Sequence, residues 1–214
     1  MRLLLVLVVC AAATGEDGFV SIFNGKNLDG WHLVRPRGTG YLVEDGKIVS
    51  PAGGGRNLLY EKEYSNFTFR FEFKLARGAN HGIGIRAPMG SGTVSAVGME
   101  IQIFDDDDPK HANLPPEEYH GSIYGVSPAK RGALKPVGEW NQEEITANGR
   151  QITVILNGTK ILDVDLNTIT DPVILKKRPG IQRTKGHIGL LGHYTLVEFR
   201  NMRVKELPSN ESLK

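Results

Sequence analysis

The chain has 214 residues, 40% of them hydrophobic and 23% charged, which suffices for one sizeable buried core. Lys and Arg number 26 against 24 Asp and Glu, a formal charge of +2. The charges are scattered and form no basic block, which argues against nucleic acid or an anionic membrane surface as partner.

The opening run MRLLLVLVVCAAATGED reads as a secretory signal over residues 1–15. Arg2 supplies the positive start, Leu3 to Val9 the apolar stretch, and Ala11 to Gly15 the small residues of a cleavage site. The apolar stretch is too short to span a bilayer, so no transmembrane segment is expected. Cys10 is the only cysteine. Val9 is a poor residue before a lipidated cysteine, so simple cleavage is expected rather than a lipoprotein anchor. The mature chain then has no disulfide and no thiol nucleophile, and its expected location is periplasmic or secreted.

Residues 16–208 are expected to form one domain, with 209–214 as a tail. Gly53-Gly54-Gly55 lacks the Lys-Ser/Thr and the helix of a phosphate cradle and reads as a turn. FTFRFEFKL alternates strictly, with Phe67, Phe69, Phe71, Phe73 and Leu75 on one face and Thr68, Arg70, Glu72 and Lys74 on the other. GIGIR continues with Ile83 and Ile85 inward and Gly82, Gly84 and Arg86 outward. MEIQIF follows with Met99, Ile101 and Ile103 inward and Glu100 and Gln102 outward. QITVILNGTKILDVDL is a hairpin signal around Asn157-Gly158, and Asn148-Gly149 is a second turn. HIGLLGH and LVEFRNMRVKEL complete the strands. No helix longer than about two turns is signalled. Many short strands between turn residues predict an all-β sandwich of two antiparallel sheets.

Strand parity converts these segments into a candidate surface, because side chains at i and i+2 share a face. Glu100 and Gln102 project together. Asn80, Gly82, Gly84 and Arg86 share a parity, and the glycines leave that face shallow enough for a ligand. If the two strands pair, Arg86 lies near Glu100 or Gln102, and Glu72 is a further candidate for the same surface. Carboxylates and amides suit sugar hydroxyls, and Tyr119, Tyr124 and Trp140 are candidate aromatic platforms. The competing reading is the wet face of an ordinary sheet. Among the histidines, His81 and His120 sit beside turns and His187 and His193 flank IGLLG. The Asp105 to Asp108 run lacks the spacing of a calcium loop and reads as a solvated strand exit. No HExxH or cysteine ligand set specifies a metal.

Several segments in order resemble a known family: FNGKNLDGW, EDGKIVS, YSNFTFRFEFKL, ANHGIGIR, GMEIQIFDDD, HGSIYGVSPA, GEWNQEEI, LNGTKILD, GHIGLLGH and VEFRNMRVKEL. Together, from about Gly18 to Leu207, they resemble the 3-keto-disaccharide hydrolases. The resemblance implies a concanavalin A-like jelly-roll sandwich, export, and action on 3-keto-glycosides. It also implies a carbohydrate substrate and an upstream sugar 3-oxidase as functional partner. The family usually reads Asn-Ser-Gly where this chain has Asn80-His81-Gly82, and often Leu-Gln where Leu191-Gly192 precedes His193.

A ketone at C3 acidifies the C2 hydrogen. One base and one group that stabilises the enolate oxygen then suffice for elimination of the C1 substituent, and hydration completes a net hydrolysis. Glu100 is the favoured base or metal ligand, His120 the rival base, and Arg86 the oxyanion partner. Asn80, His81, Gln102, Tyr124, Trp140 and His193 are the expected substrate contacts. No organic cofactor is expected, and a divalent metal ion is left open. A non-catalytic carbohydrate-binding module of the same fold is the alternative. A retaining glucanase ranks third, because it needs paired carboxylates and Gln102 occupies the i+2 position from Glu100.

Overall fold

The computed structural model describes residues 18–34, 39–90 and 92–208. The signal reading over residues 1–15, Cys10 and the tail 209–214 lie outside them. The described residues form thirteen strands: β1 Val20–Ser21, β2 Trp31–Val34, β3 Leu42–Glu44, β4 Lys47–Ser50, β5 Asn57–Tyr64, β6 Phe67–Leu75, β7 Asn80–Ala87, β8 Met99–Phe104, β9 Trp140–Asn148, β10 Gln151–Leu156, β11 Thr159–Asp165, β12 Gly186–Gly192 and β13 Val197–Glu206. Two short α-helices, α1 Val94–Val97 and α2 Pro172–Lys177, and several single 3-10 turns lie among them.

The strands build two sheets in which all pairs are antiparallel. The larger runs β11-β10-β9-β6-β13-β4-β3, with β1 also on β13, and the smaller runs β2-β5-β12-β7-β8. This is the two-sheet sandwich that the alternating segments predict. Phe67, Phe69, Phe71, Phe73 and Leu75 of β6 are all at most 3% exposed and face Ile83, Ile85, Ile101 and Ile103 of the smaller sheet in one core. Each alternating strand presents one face to this core and one outward, as period-two side-chain placement requires. Asn157 and Gly158 both take positive φ, +49° and +83°, and close the β10–β11 hairpin at the expected place. Among the described residues no helix is long and apolar enough to cross a membrane.

The smaller sheet also has a second, outer apolar cluster. Leu59, Ala87, Val94 and Leu191 pack there, so α1 covers part of that face. The remainder, towards Gly82 and Gln102, carries the polar residues. Residues 120–127 run along the free edge of β8. Tyr124 N–H donates to Glu100 O at 2.9 Å and Gln102 N–H to Ser122 O at 3.0 Å. The segment thus pairs an edge that would otherwise be open.

Candidate active site

β7 and β8 pair in the register that the parity argument needs. Gly84 stands opposite Glu100 and Gly82 opposite Gln102. Glu100 is 5% exposed and Gln102 3%. The Glu100 side chain folds over Gly82, and a β-carbon built at residue 82 would overlap its carboxylate. Gly82 is therefore required by close approach. Gln102 Nε2 donates to Asn80 Oδ1 at 3.3 Å, which joins Asn80 to the same face.

The fourth member arrives from the β12–β13 turn. His193 Nε2 lies 3.4 Å from Glu100 Oε1. Its side chain is 49% exposed while Glu100 is nearly covered, so the pair has a buried acid behind an accessible imidazole. The turn is fastened to β7 by a double clasp. Asn80 N–H donates to Thr195 Oγ1 at 2.9 Å, and the same hydroxyl donates to Asn80 O at 2.6 Å. Thr195 therefore supplies hydrogen bonds where the strand pairing of β7 and β12 ends.

Tyr124 stands at the other rim. Burial raises its phenol pKa, with the charge of Glu118 adding to the rise, Arg178 opposing it, and Glu100 adding further. Arg178 lies over the Tyr124 ring, 4.8 Å from its centroid, and donates to Ser95 O and Oγ at 3.2 and 3.1 Å. Arg178 is brought there by close backbone contact between Gly180 and Gly98, where any side chain at 180 would collide. Sequence reading missed Arg178, because its segment KKRPGIQ has no strand alternation.

Five expected members stand elsewhere. Arg86 does not reach Glu100. Ile85 and Arg86 together oppose the single residue Ile188, because Gly84 pairs with Gly189 and Ala87 with His187. This bulge puts Arg86 at φ +48° and turns its side chain away from the outer face. Arg86 is fully buried and donates to Ser65 O, Gly149 O and Arg183 O, tying loops at one end of the sandwich. Burial, helped by the neighbouring Arg150 charge, pushes its guanidinium down to about 10.

His120 points between the sheets, stacked 5.2 Å from Phe73. Its Nδ1 accepts from Phe104 N–H at 3.1 Å, so Nε2 carries the hydrogen towards Glu143 Oε2, 2.9 Å away. Both members of that pair are within 2% of full burial. Glu143 went unread as a core residue, although its parity with Ile145 and Ala147 marks it as inward.

His81 also faces inward, fully buried, with Nε2 3.1 Å from the Tyr41 hydroxyl. Trp140 lies on the outer face of the larger sheet, with Arg200 3.9 Å from its ring centroid. Glu72 shares that far face, bonded to Arg200 and Asn201.

The aspartate run is only in part a solvated exit, with Asp107 exposed and Asp108 half-buried. Asp105 accepts from Gly78 N–H at 2.7 Å and Asp106 from His120 N–H at 2.9 Å, and both are buried. Among the described residues no group of three or more His, Cys, Asp and Glu is placed to hold a metal ion.

Residues 18–205 match the 3-keto-alpha-glucoside-1,2-lyase-like domain. The chain belongs to that family. A relative named 3-keto-disaccharide hydrolase, from Bacteroides thetaiotaomicron, is 28% identical over 234 residues, covering 89% of this chain and 79% of its own. The crystal structure of a proposed glycosyl hydrolase from Parabacteroides distasonis shares 30% identity with a TM-score of 0.77, covering 88% of this chain and 99% of that one. More distant likenesses concern the fold alone. The carbohydrate-binding module CBM66 of Bacillus subtilis is 15% identical with a TM-score of 0.54, covering 83% of this chain and 96% of its own. These neighbours share the β-sandwich architecture that family membership implies.

Proposed function

We propose that the protein is an exported hydrolase of 3-keto-glycosides, 3-keto-disaccharides among them, and that Glu100 and His193 form its acid–base centre. The observation that carries this reading is the pair itself: a covered carboxylate 3.4 Å from a half-exposed imidazole, on a shallow polar sheet face. Family membership and the named relative supply the substrate class. The N-terminal residues 1–15 support export.

The chemistry needs few groups. The centre removes the C2 proton, and the electron pair moves into C2–C3 as the C3 ketone becomes an enolate. The enolate then reforms the ketone, C1–C2 becomes a double bond, and the C1–O bond breaks. The leaving oxygen takes a proton. Water adds at C1 and a proton returns to C2, so the sum is hydrolysis. His193, as the accessible member, meets the substrate, while Glu100 orients it and balances the imidazolium that forms. Gln102 and Asn80 donate from the sheet, and Tyr124 with Arg178 supplies positive potential at the rim for the enolate oxygen. Such a route has no use for the two flanking carboxylates of an ordinary glycosidase. A pure binding module would have no need to cover a carboxylate behind a histidine.

Hydrolysis in deuterium oxide tests the route. Elimination and hydration place solvent deuterium at C2 of the released keto sugar, faster than the uncatalysed exchange. Release of product with hydrogen retained at C2 would exclude it.

A further inference from the structure

The turn that delivers His193 holds a second residue that neither the fold nor the acid–base centre explains. Tyr194 is 49% exposed, and among the described residues it is the one Phe, Trp or Tyr that counts as exposed. Its φ is +63°, a left-handed conformation that suits glycine and penalises a bulky side chain. The ring is nonetheless braced. The Arg56 guanidinium lies 4.7 Å from its centroid, and Gly53 N–H donates to Tyr194 O at 2.9 Å. Packing does not account for this arrangement, because the ring fills no core. A strained backbone and an arginine hold an aromatic face at the surface, one residue from the histidine that meets Glu100.

We propose that Tyr194 is a stacking platform for the sugar ring on the leaving-group side of the scissile bond. The inference rests on the hydrolase reading above. The reacting ring must bring C2 to the Glu100–His193 pair, where the polar partners Gln102 and Asn80 lie low on the sheet. An exposed ring at the rim meets the part of the substrate that lies furthest out, which is also the part that must depart into solvent. The C–H face of a pyranose packs on an aromatic face, and Arg56 on the ring leaves its hydroxyls a neighbouring donor. Tyr194 thus sets the preference for a disaccharide over a glycoside with a small leaving group.

Kinetics with 3-keto-trehalose and methyl 3-keto-α-glucoside separate the alternatives. Tyr194→Ala and Tyr194→Gly should raise KM for the disaccharide roughly three- to tenfold, the range one aromatic contact supplies, with a smaller rise for the methyl glycoside. Tyr194→Phe, which keeps the ring, should restore most of the loss. Tyr194→Gly also relieves the left-handed backbone, so its melting temperature should hold or rise, which a packing residue would not allow. Equal effects on both substrates, or no effect on the disaccharide, would overturn the platform. If the native protein turns over neither substrate, the hydrolase reading fails, and calorimetric titration with trehalose still judges Tyr194. Binding that weakens in the Ala and Gly variants but not in Phe supports it; absent or unchanged binding overturns it.

Discussion

Of the glutamate–histidine pairs among the described residues, two have opposite surroundings. Glu143 and His120 lie between the sheets, 2.9 Å apart and almost wholly covered, and Glu143 Oε1 has no partner among the described residues. Glu100 and His193 lie on the outer face of the smaller sheet, with the histidine half open. The residue types are the same, but only the second pair can touch a substrate. The first ties β9 to the segment after β8: the His120 ring accepts from Phe104 N–H and its backbone N–H donates to Asp106. Composition does not separate a structural pair from a chemical one. Access does, together with the neighbouring groups that converge on the accessible member.

The largest expected effect breaks the outer pair. Glu100→Gln should lower turnover of a 3-keto-disaccharide by about 10²–10⁴-fold, because an amide no longer balances the His193 imidazolium or fixes its tautomer, with little change in melting temperature. The inner pair should behave in reverse. Glu143→Ala strands His120 and empties a buried site, at a cost of about 3–5 kcal/mol in denaturant unfolding, while the folded fraction keeps its turnover. Loss of turnover in folded Glu143→Ala would erase the distinction.

Gly82→Ala sharpens it, because the three atoms nearest the added methyl all belong to the Glu100 side chain. Turnover should fall about a hundredfold, the scale of an ångström misplacement, with stability nearly intact.

Acid probes the interior. Burial, with the His193 charge adding to it and a Gly82 hydrogen bond opposing it, pushes the His81 imidazole down to about 3. The unfolded chain binds this proton near its ordinary pKa of about 6.5. Below that value the unfolded state holds more protons, so stability is complete above about pH 6.5 and declines towards pH 3. The loss should be on the order of a few kcal/mol, and His81→Ser should flatten that limb of the unfolding curve. The smallest effect is expected at Trp140. It sits on the far sheet, so Trp140→Ala should leave KM and kcat unchanged and cost about 0.5–1 kcal/mol of its contacts with Lys74 and Arg200.

Much of this was legible in the chain before any fold was known. Strict alternation from Phe67 to Leu75 marked the core face, and parity placed Glu100, Gln102 and Asn80 together. Arg86 escaped because parity assumes an unbroken ladder, and the bulge at Ile85 and Arg86 reverses it. His120 and Trp140 were read from their company in the sequence, but direction is decided by which sheet and which face a segment joins. Arg178, Thr195 and Tyr194 lie in turns without periodicity. Only the folded chain brings them to Tyr124, Asn80 and Arg56. The aspartates looked solvated as a charge run, yet Asp105 and Asp106 are consumed by backbone N–H groups of Gly78 and His120.

The role proposed for Glu100 and His193 on a keto sugar has a direct test. Incubating the native protein and Glu100→Gln with 3-keto-trehalose and with trehalose, and measuring released sugar, tests it most directly. The native protein should cleave the keto form alone, and the variant should fold normally and cleave neither. Equal cleavage of trehalose, or undiminished turnover by Glu100→Gln, would contradict the account.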